Sequence, residues 1–259
     1  MNDCEQQARV ALENQDWPAA IRLFRQALND SPQDAELSLL LAEALSESGQ
    51  TQEAVSVLEQ ALQEHPQEVE LLFALGDLLF ELEDTEQALE SYRKILQMNP
   101  EEGEAWASIG LVHYQQQRFV DAIESYRKAA KLDGESAFLC TCLGDAFLAQ
   151  EDTGQALSCY QKALQLDPQE ARVHLSLAEI HHERGDLAAA KEACCQAIVL
   201  DSQLAEAYVT LGNIYLDLDE TREAVRNYQK FLDCEQSTLG REIRAEVAAL
   251  VEGLKAEMS

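Results

Sequence analysis

Basic residues are scarce in this chain: 19 Lys and Arg stand against 48 Asp and Glu, giving a formal net charge of −29 and a pI near 4.3. Between Gln26 and Tyr92 there is no Lys or Arg at all. Such a field repels nucleic-acid phosphates and anionic lipid headgroups, so neither is expected as a partner. No run of eighteen apolar residues is present, which excludes a membrane-spanning helix. The opening residues, Met1-Asn2-Asp3-Cys4-Glu5-Gln6-Gln7, lack the basic and apolar regions of a secretory signal, and the expectation is a cytoplasmic chain. With only 5 prolines and 11 glycines, the composition is not that of a disordered segment. The 7 cysteines include no CxxC pair, and their odd number favours reduced, half-buried thiols over a disulfide framework.

What the chain does have is a period. Seven consecutive segments superimpose at 34 residues without insertion or deletion, each with alanine at its twentieth position: Ala20, Ala54, Ala88, Ala122, Ala156, Ala190 and Ala224. A fixed period of this length marks a solenoid whose units lean on their neighbours. Within residues 69–102, Leu72, Leu75, Gly76 and Leu79 share one helical face, and Ala88, Leu89, Tyr92, Ile95 and Leu96 form a second apolar stripe after a break at Glu83-Asp84-Thr85. The residue at Gly76 is small in every segment (Ala8, Ala42, Gly110, Gly144, Ala178, Gly212), as close approach of a second helix requires. Pro100 closes the segment, and Pro32, Pro66 and Pro168 occupy the same place.

This pattern resembles the tetratricopeptide repeat (TPR), which places a large residue, Leu, Gly/Ala, an aromatic, Ala, an aromatic, Ala and Pro at fixed offsets. Residues 103–136 read Trp106, Ile109, Gly110, His113, Ala122, Tyr126 and Ala129; residues 205–238 read Tyr208, Leu211, Gly212, Tyr215, Ala224, Tyr228 and Phe231. The resemblance implies an all-α fold, a right-handed α-solenoid or superhelix of seven helix-turn-helix units. The expected domains are a repeat array over 1–238 (1–34, 35–68, 69–102, 103–136, 137–170, 171–204 and 205–238) and a C-terminal capping helix over 239–259. On that last helix Ile243, Val247, Leu250, Val251, Leu254 and Met258 form one apolar stripe. Repeat 1 is the weakest match, with Cys4 and Gln7 where bulky apolar residues are expected.

At 100° per residue, the second, fifth, ninth, twelfth and thirteenth positions of each first helix lie opposite the packing face. The resemblance implies that they line a concave groove that binds extended peptides. Candidate groove residues are Glu43, Phe73, Asp77, Phe80, Glu81, Tyr114, Asp145, Glu179, His182 and Asn213. An acidic groove with apolar and aromatic patches matches a segment carrying Lys or Arg between apolar anchors. The Lys, Asn and Arg clamp with which chaperone-binding members of this family grip a terminal carboxylate is absent, since the corresponding positions hold Glu43, Asp77 and Asp145. The asparagine ladder of some sugar-transferase members is missing too, Asn213 standing alone.

Other constellations carry no chemistry. His174 and His181 share a face but lie about 10 Å apart along a helix, too far to hold one ion, and both occupy packing offsets. Cys140-Thr141-Cys142 and Cys194-Cys195 diverge around a helix. The pairs Glu83-Asp84 and Glu101-Glu102 fall in turns without a base or pocket. The expectation is a non-enzyme without metal or cofactor: an adaptor that binds a basic or amphipathic protein segment. The alternative is a scaffold that polymerises through its repeat ends, and homo-oligomers are compatible with either.

Overall fold

A computed structural model of the chain describes residues 3–236 and 240–258, and within them every regular element is helical. Contacts group the chain into two compact units, one up to Glu135 and one from Ser136 onward. The first contains four helix pairs: α1 (Asp3–Glu13) with α2 (Trp17–Asp30), α3 (Ala35–Glu47) with α4 (Thr51–Glu64), α5 (Val69–Glu81) with α6 (Thr85–Met98), and α7 (Gly103–Gln115) with α8 (Phe119–Asp133). The second contains three pairs, α9 (Ala137–Ala149) with α10 (Thr153–Leu166), α11 (Ala171–Glu183) with α12 (Leu187–Leu200), and α13 (Ala205–Asp217) with α14 (Thr221–Cys234), followed by α15 (Arg241–Glu257). The 34-residue register runs through both units. The expected boundary between array and tail, at residue 238, lies outside the described residues.

The turn inside each pair is built the same way every time. Its fifteenth-position residue is left-handed: Gln15, Glu83, Gln117, Glu151 and Asp219 have φ of 58–63°, and Gly49 and Gly185 have φ of 79° and 76°. One residue later, the carboxylates of Asp16, Asp84, Asp152 and Asp186 accept from the backbone N–H three residues on, at 3.0–3.2 Å, and cap the second helix. The acidic pair Glu83-Asp84 is thus one left-handed turn residue and one helix cap. Part of the chain's negative charge is spent on its own helix starts.

Packing within a pair centres on the eighth and twenty-fourth positions. A Cβ placed on Gly76, Gly144 or Gly212 would sit 2.5 Å from the ring of Tyr92, Tyr160 or Tyr228, and Gly110 meets Tyr126 in the same way. The four tyrosines are at most 2% exposed. Where the twenty-fourth residue is Leu58 or Cys194 the eighth is Ala42 or Ala178, so the small residue is matched to the ring above it. Repeat 1 departs from this, pairing Ala8 with Phe24.

A further row is buried that the amphipathic pattern did not single out. The third and tenth positions of first helices, such as Leu37 and Ala44, Ala105 and Val112, and Ala207 and Ile214, are at most 4% exposed. Ala207 and Ile214 join Ala178, Ala190, Cys194 and Ala197 of the preceding pair in one cluster. A first helix therefore packs on two sides, against its partner and into the pair before it. The buried Cys194 thiol donates to the carbonyl of Ala207 at 3.0 Å, and burial foremost pushes its pKa up to about 12, so it remains a thiol.

The apolar stripe expected on α15 is split. Val247 and Val251 are buried with Tyr208, Tyr228 and Phe231 of the last pair, and Leu254 is half-buried beside them. Ile243, Leu250 and Met258 remain 53%, 40% and 43% exposed. Leu250 is rotated about 100° from Val251 around the helix, and the helix seats on the Val251 side. Arg244 fastens it by donating to the carbonyl of Leu232 at 2.7 Å.

Two outcomes are expected. Gly76→Ala forces a methyl into the Tyr92 ring and should destabilise the fold by about 1–3 kcal/mol in urea unfolding. Tyr92→Leu, which reproduces the Ala42/Leu58 pair of repeat 2, should relieve part of that loss when added, giving a sub-additive double variant. The second outcome concerns His113, 8% exposed, whose Nε2 finds no hydrogen-bond partner among the described residues. Burial, and then Arg118, hold its pKa below the usual imidazole value, with Asp121 opposing. The folded state thus prefers the neutral ring, and stability should fall as pH drops below about 6.5, the unfolded value. His113→Phe, the residue that Phe147 supplies in repeat 5, should flatten that slope in thermal melts between pH 7 and 5.

Candidate functional site

The face opposite the packing rows is open in both units, and each is described separately. In the first unit a groove of about 270 Å³ lies between α3 and α5. Its walls are apolar, from Leu39, Ala42, Ala74 and Leu78. Glu43, Glu47 and Asp77 line the same groove. Three cations near the cation-free stretch bind acids outside the groove: Arg9 bonds Glu36 at 2.7 Å, Arg25 bonds Glu53, and Lys94 bonds Glu90 at 2.9 Å. Glu43 and Glu47 are exposed and have no hydrogen bond or ion pair among the described residues. They stand at i and i+4 on α3, where like charges repel.

Asp77 is held differently. The hydroxyl of Tyr92 donates to its Oδ1 at 2.6 Å, and this repeats as Tyr160 to Asp145 and Tyr228 to Asn213, both at 2.6 Å. The same tyrosine that fills the space over the glycine therefore reaches through to the open face and orients the ninth residue. Burial, reinforced by the Asp77 acceptor, raises the Tyr92 pKa, and burial and then Asp217 push that of Tyr228 up to about 12. Both remain hydroxyl donors. Burial raises the pKa of Asp145, and the Tyr160 hydrogen bond opposes the rise.

The other expected groove residues of the first unit differ in exposure. Phe73 is half-buried with its ring 6.3 Å from that of Tyr92, and Phe80 packs half-buried on the same core. Tyr114 is 36% exposed and makes an edge contact with Phe119 at 5.4 Å. Glu81 is exposed on the last turn of α5.

In the second unit Glu179 shares a groove of about 400 Å³ with Leu148, Glu151, Thr153, Ile180 and Glu183. Burial first, then Glu183 and Glu206, raise its pKa, against a hydrogen bond from Thr210. No tyrosine fixes it, because the twenty-fourth residue of its repeat is Cys194. His182 is already engaged, its Nε2 lying 2.6 Å from Asp217 Oδ2. His174 contacts the Pro168 carbonyl at 3.3 Å and His181 lies 4.0 Å from Asp186. Among the described residues no cluster of His, Cys, Asp or Glu is arranged to hold a metal, and no helix is long and apolar enough to cross a membrane.

The helix pairs have the form of tetratricopeptide repeats, and comparison of the sequence with known families agrees. The family model described as cilia and flagella-associated protein 70 C-terminal domain, itself made of such repeats, matches residues 4–204, and one described as tetratricopeptide repeat matches 205–236. The chain belongs to the tetratricopeptide-repeat family. Several solved structures share the fold. A TPR protein from Parabacteroides merdae ATCC 43184 is 20% identical with a TM-score of 0.75, aligned over 96% of this chain and 98% of that one. Pseudomonas aeruginosa PilF is 19% identical with a TM-score of 0.69, over 82% and 97%. YrrB, described as a TPR protein with an unusual peptide-binding site, is 20% identical with a TM-score of 0.57, over 71% and 95%. No match is found among curated proteins. The TPR fold is that of a protein-interaction module.

One feature of the face escaped the sequence reading: the tyrosine anchors. The anchors did have a signal, since Asp77, Asp145 and Asn213 each precede a tyrosine by 15 residues, whereas Glu43 and Glu179 do not. The ninth-position acids consequently differ in kind. Asp77→Lys strips a buried hydroxyl of its acceptor and should destabilise the chain by about 1–3 kcal/mol. Glu43→Lys, with no partner to lose, should stay within about 0.5 kcal/mol of the parent in the same denaturation experiment.

Proposed function

We propose that this TPR protein is a non-catalytic adaptor whose acidic first-helix face binds a partner segment carrying Lys or Arg between apolar anchors. The observation that supports it most directly is the groove between α3 and α5, where apolar walls carry Glu43 and Glu47 without counter-ions among the described residues. An uncompensated carboxylate pair beside apolar surface is complementary to a cation with an aliphatic flank. YrrB, which shares the fold and is described as having an unusual peptide-binding site, is consistent with a peptide partner. The lopsided charge would speed encounter with a basic partner and make it sensitive to salt.

Selection of a random peptide library against the full chain tests this reading. Enrichment of peptides alternating basic and apolar residues is expected at low salt. It should be lost at high salt and on Glu43→Lys/Glu47→Lys, but kept on the charge-matched control Glu59→Lys/Glu124→Lys, whose exposed sites lie on the second helices α4 and α8. Enrichment of acidic peptides, or equal enrichment on both variants, would overturn it.

A further inference from the structure

We infer that the α7–α8 pair is a proton-operated latch: when His113 takes up a proton this pair opens locally, while the other pairs of the first unit stay folded. Repeat 4 departs from the other repeats at two neighbouring positions, the eleventh and the sixteenth, and both departures work against a charged imidazole.

At the eleventh position repeats 2, 3, 5 and 7 place Leu45, Leu79, Phe147 and Tyr215, and repeat 4 places a histidine that is 8% exposed. His113 Nδ1 lies 3.5 Å from the Ser125 hydroxyl, whose own hydrogen goes to the Asp121 carbonyl at 2.8 Å. Ser125 can therefore only accept from the ring, and the neutral imidazole carries its hydrogen on Nδ1. A second proton has to go to Nε2, which is buried and meets no hydrogen-bond partner among the described residues. An N–H created there would have no acceptor, whereas in the opened pair water supplies one.

The sixteenth position decides whether the charge is tolerated. Repeat 6 also carries a histidine at the eleventh, His181, but the carboxylate of Asp186 lies 4.0 Å from its Nδ1. Asp186 is also the residue that caps α12, as Asp16, Asp84 and Asp152 cap α2, α6 and α10. Repeat 4 has Arg118 there instead, and α8 starts without a side-chain cap. An imidazolium at His113 is thus met by the cation of Arg118, with Arg93 of α6 adding a second. Asp121 of α8 opposes them, but its carboxylate is already bound by Arg118 at 2.7 Å.

The effect stays local because each repeat leans only on its neighbours. Within the first unit α7–α8 is the last pair and has one neighbouring pair, α5–α6. Opening also parts Tyr114 from Phe119, whose rings meet across the turn at 5.4 Å, and so withdraws an expected groove residue.

Hydrogen exchange of the full chain at pH 7 and pH 5.5, corrected for the intrinsic rate, tests this. The closed pair prefers the neutral ring, so opening should be independent of pH above about 6.5 and become easier below it, as the open form binds the proton. Between the two pH values the opening equilibrium of the α7 and α8 amides should rise roughly fivefold, and that of α3 and α4 by less than about twofold. Two substitutions should remove the response by different routes. His113→Phe restores an apolar side chain, as Phe147 does in repeat 5. Arg118→Asp restores the cap and places a carboxylate where Asp186 stands in repeat 6. A rise spread evenly over the first unit, no rise at all, or a rise that survives either substitution unchanged would overturn the latch, and each would leave the basic-segment reading intact.

Discussion

Four of the seven helix pairs are built on one contact, the tyrosine ring of the second helix lying against a glycine of the first. At Gly76, Gly110, Gly144 and Gly212 there is no room for a single methyl. Interiors packed at crystal-like density leave no slack for one. Because the ring is long as well as flat, the contact has a second consequence. The hydroxyl at its far end emerges on the opposite face, where it meets Asp77, Asp145 or Asn213. One side chain therefore sets the distance between two helices and the orientation of a polar group on the open surface. Repeats 2 and 6, which carry Leu58 and Cys194, keep the first function with an alanine partner and lose the second.

The acidity of the chain resolves into parts with different work. Asp16, Asp84, Asp152 and Asp186 cap helices. Glu36, Glu53 and Glu90 meet cations at the surface, contacts that contribute little to stability but remove charge from the partner's view. Asp77 and Asp145 hold tyrosines. Glu43 and Glu47, beside Asp77, have no counter-ion among the described residues and lie where apolar wall is exposed.

The helix pairs, their length and the family were legible in the sequence, because a 34-residue period and an amphipathic stripe each repeat seven times and errors in one copy are corrected by the others. The period also located the open face, since 100° per residue places Glu43, Asp77 and Glu179 away from the packing stripe whatever the neighbours are. By itself the sequence determined these things because each follows from local geometry. Tertiary structure decided the rest. That Phe73 packs beside Tyr92, that Asp77 accepts a hydrogen bond, which edge of the α15 stripe is buried, and that positions three and ten form a second packing row all depend on which atoms another helix brings within reach. Periodicity states the direction of a side chain around its own axis; only packing supplies what it meets there.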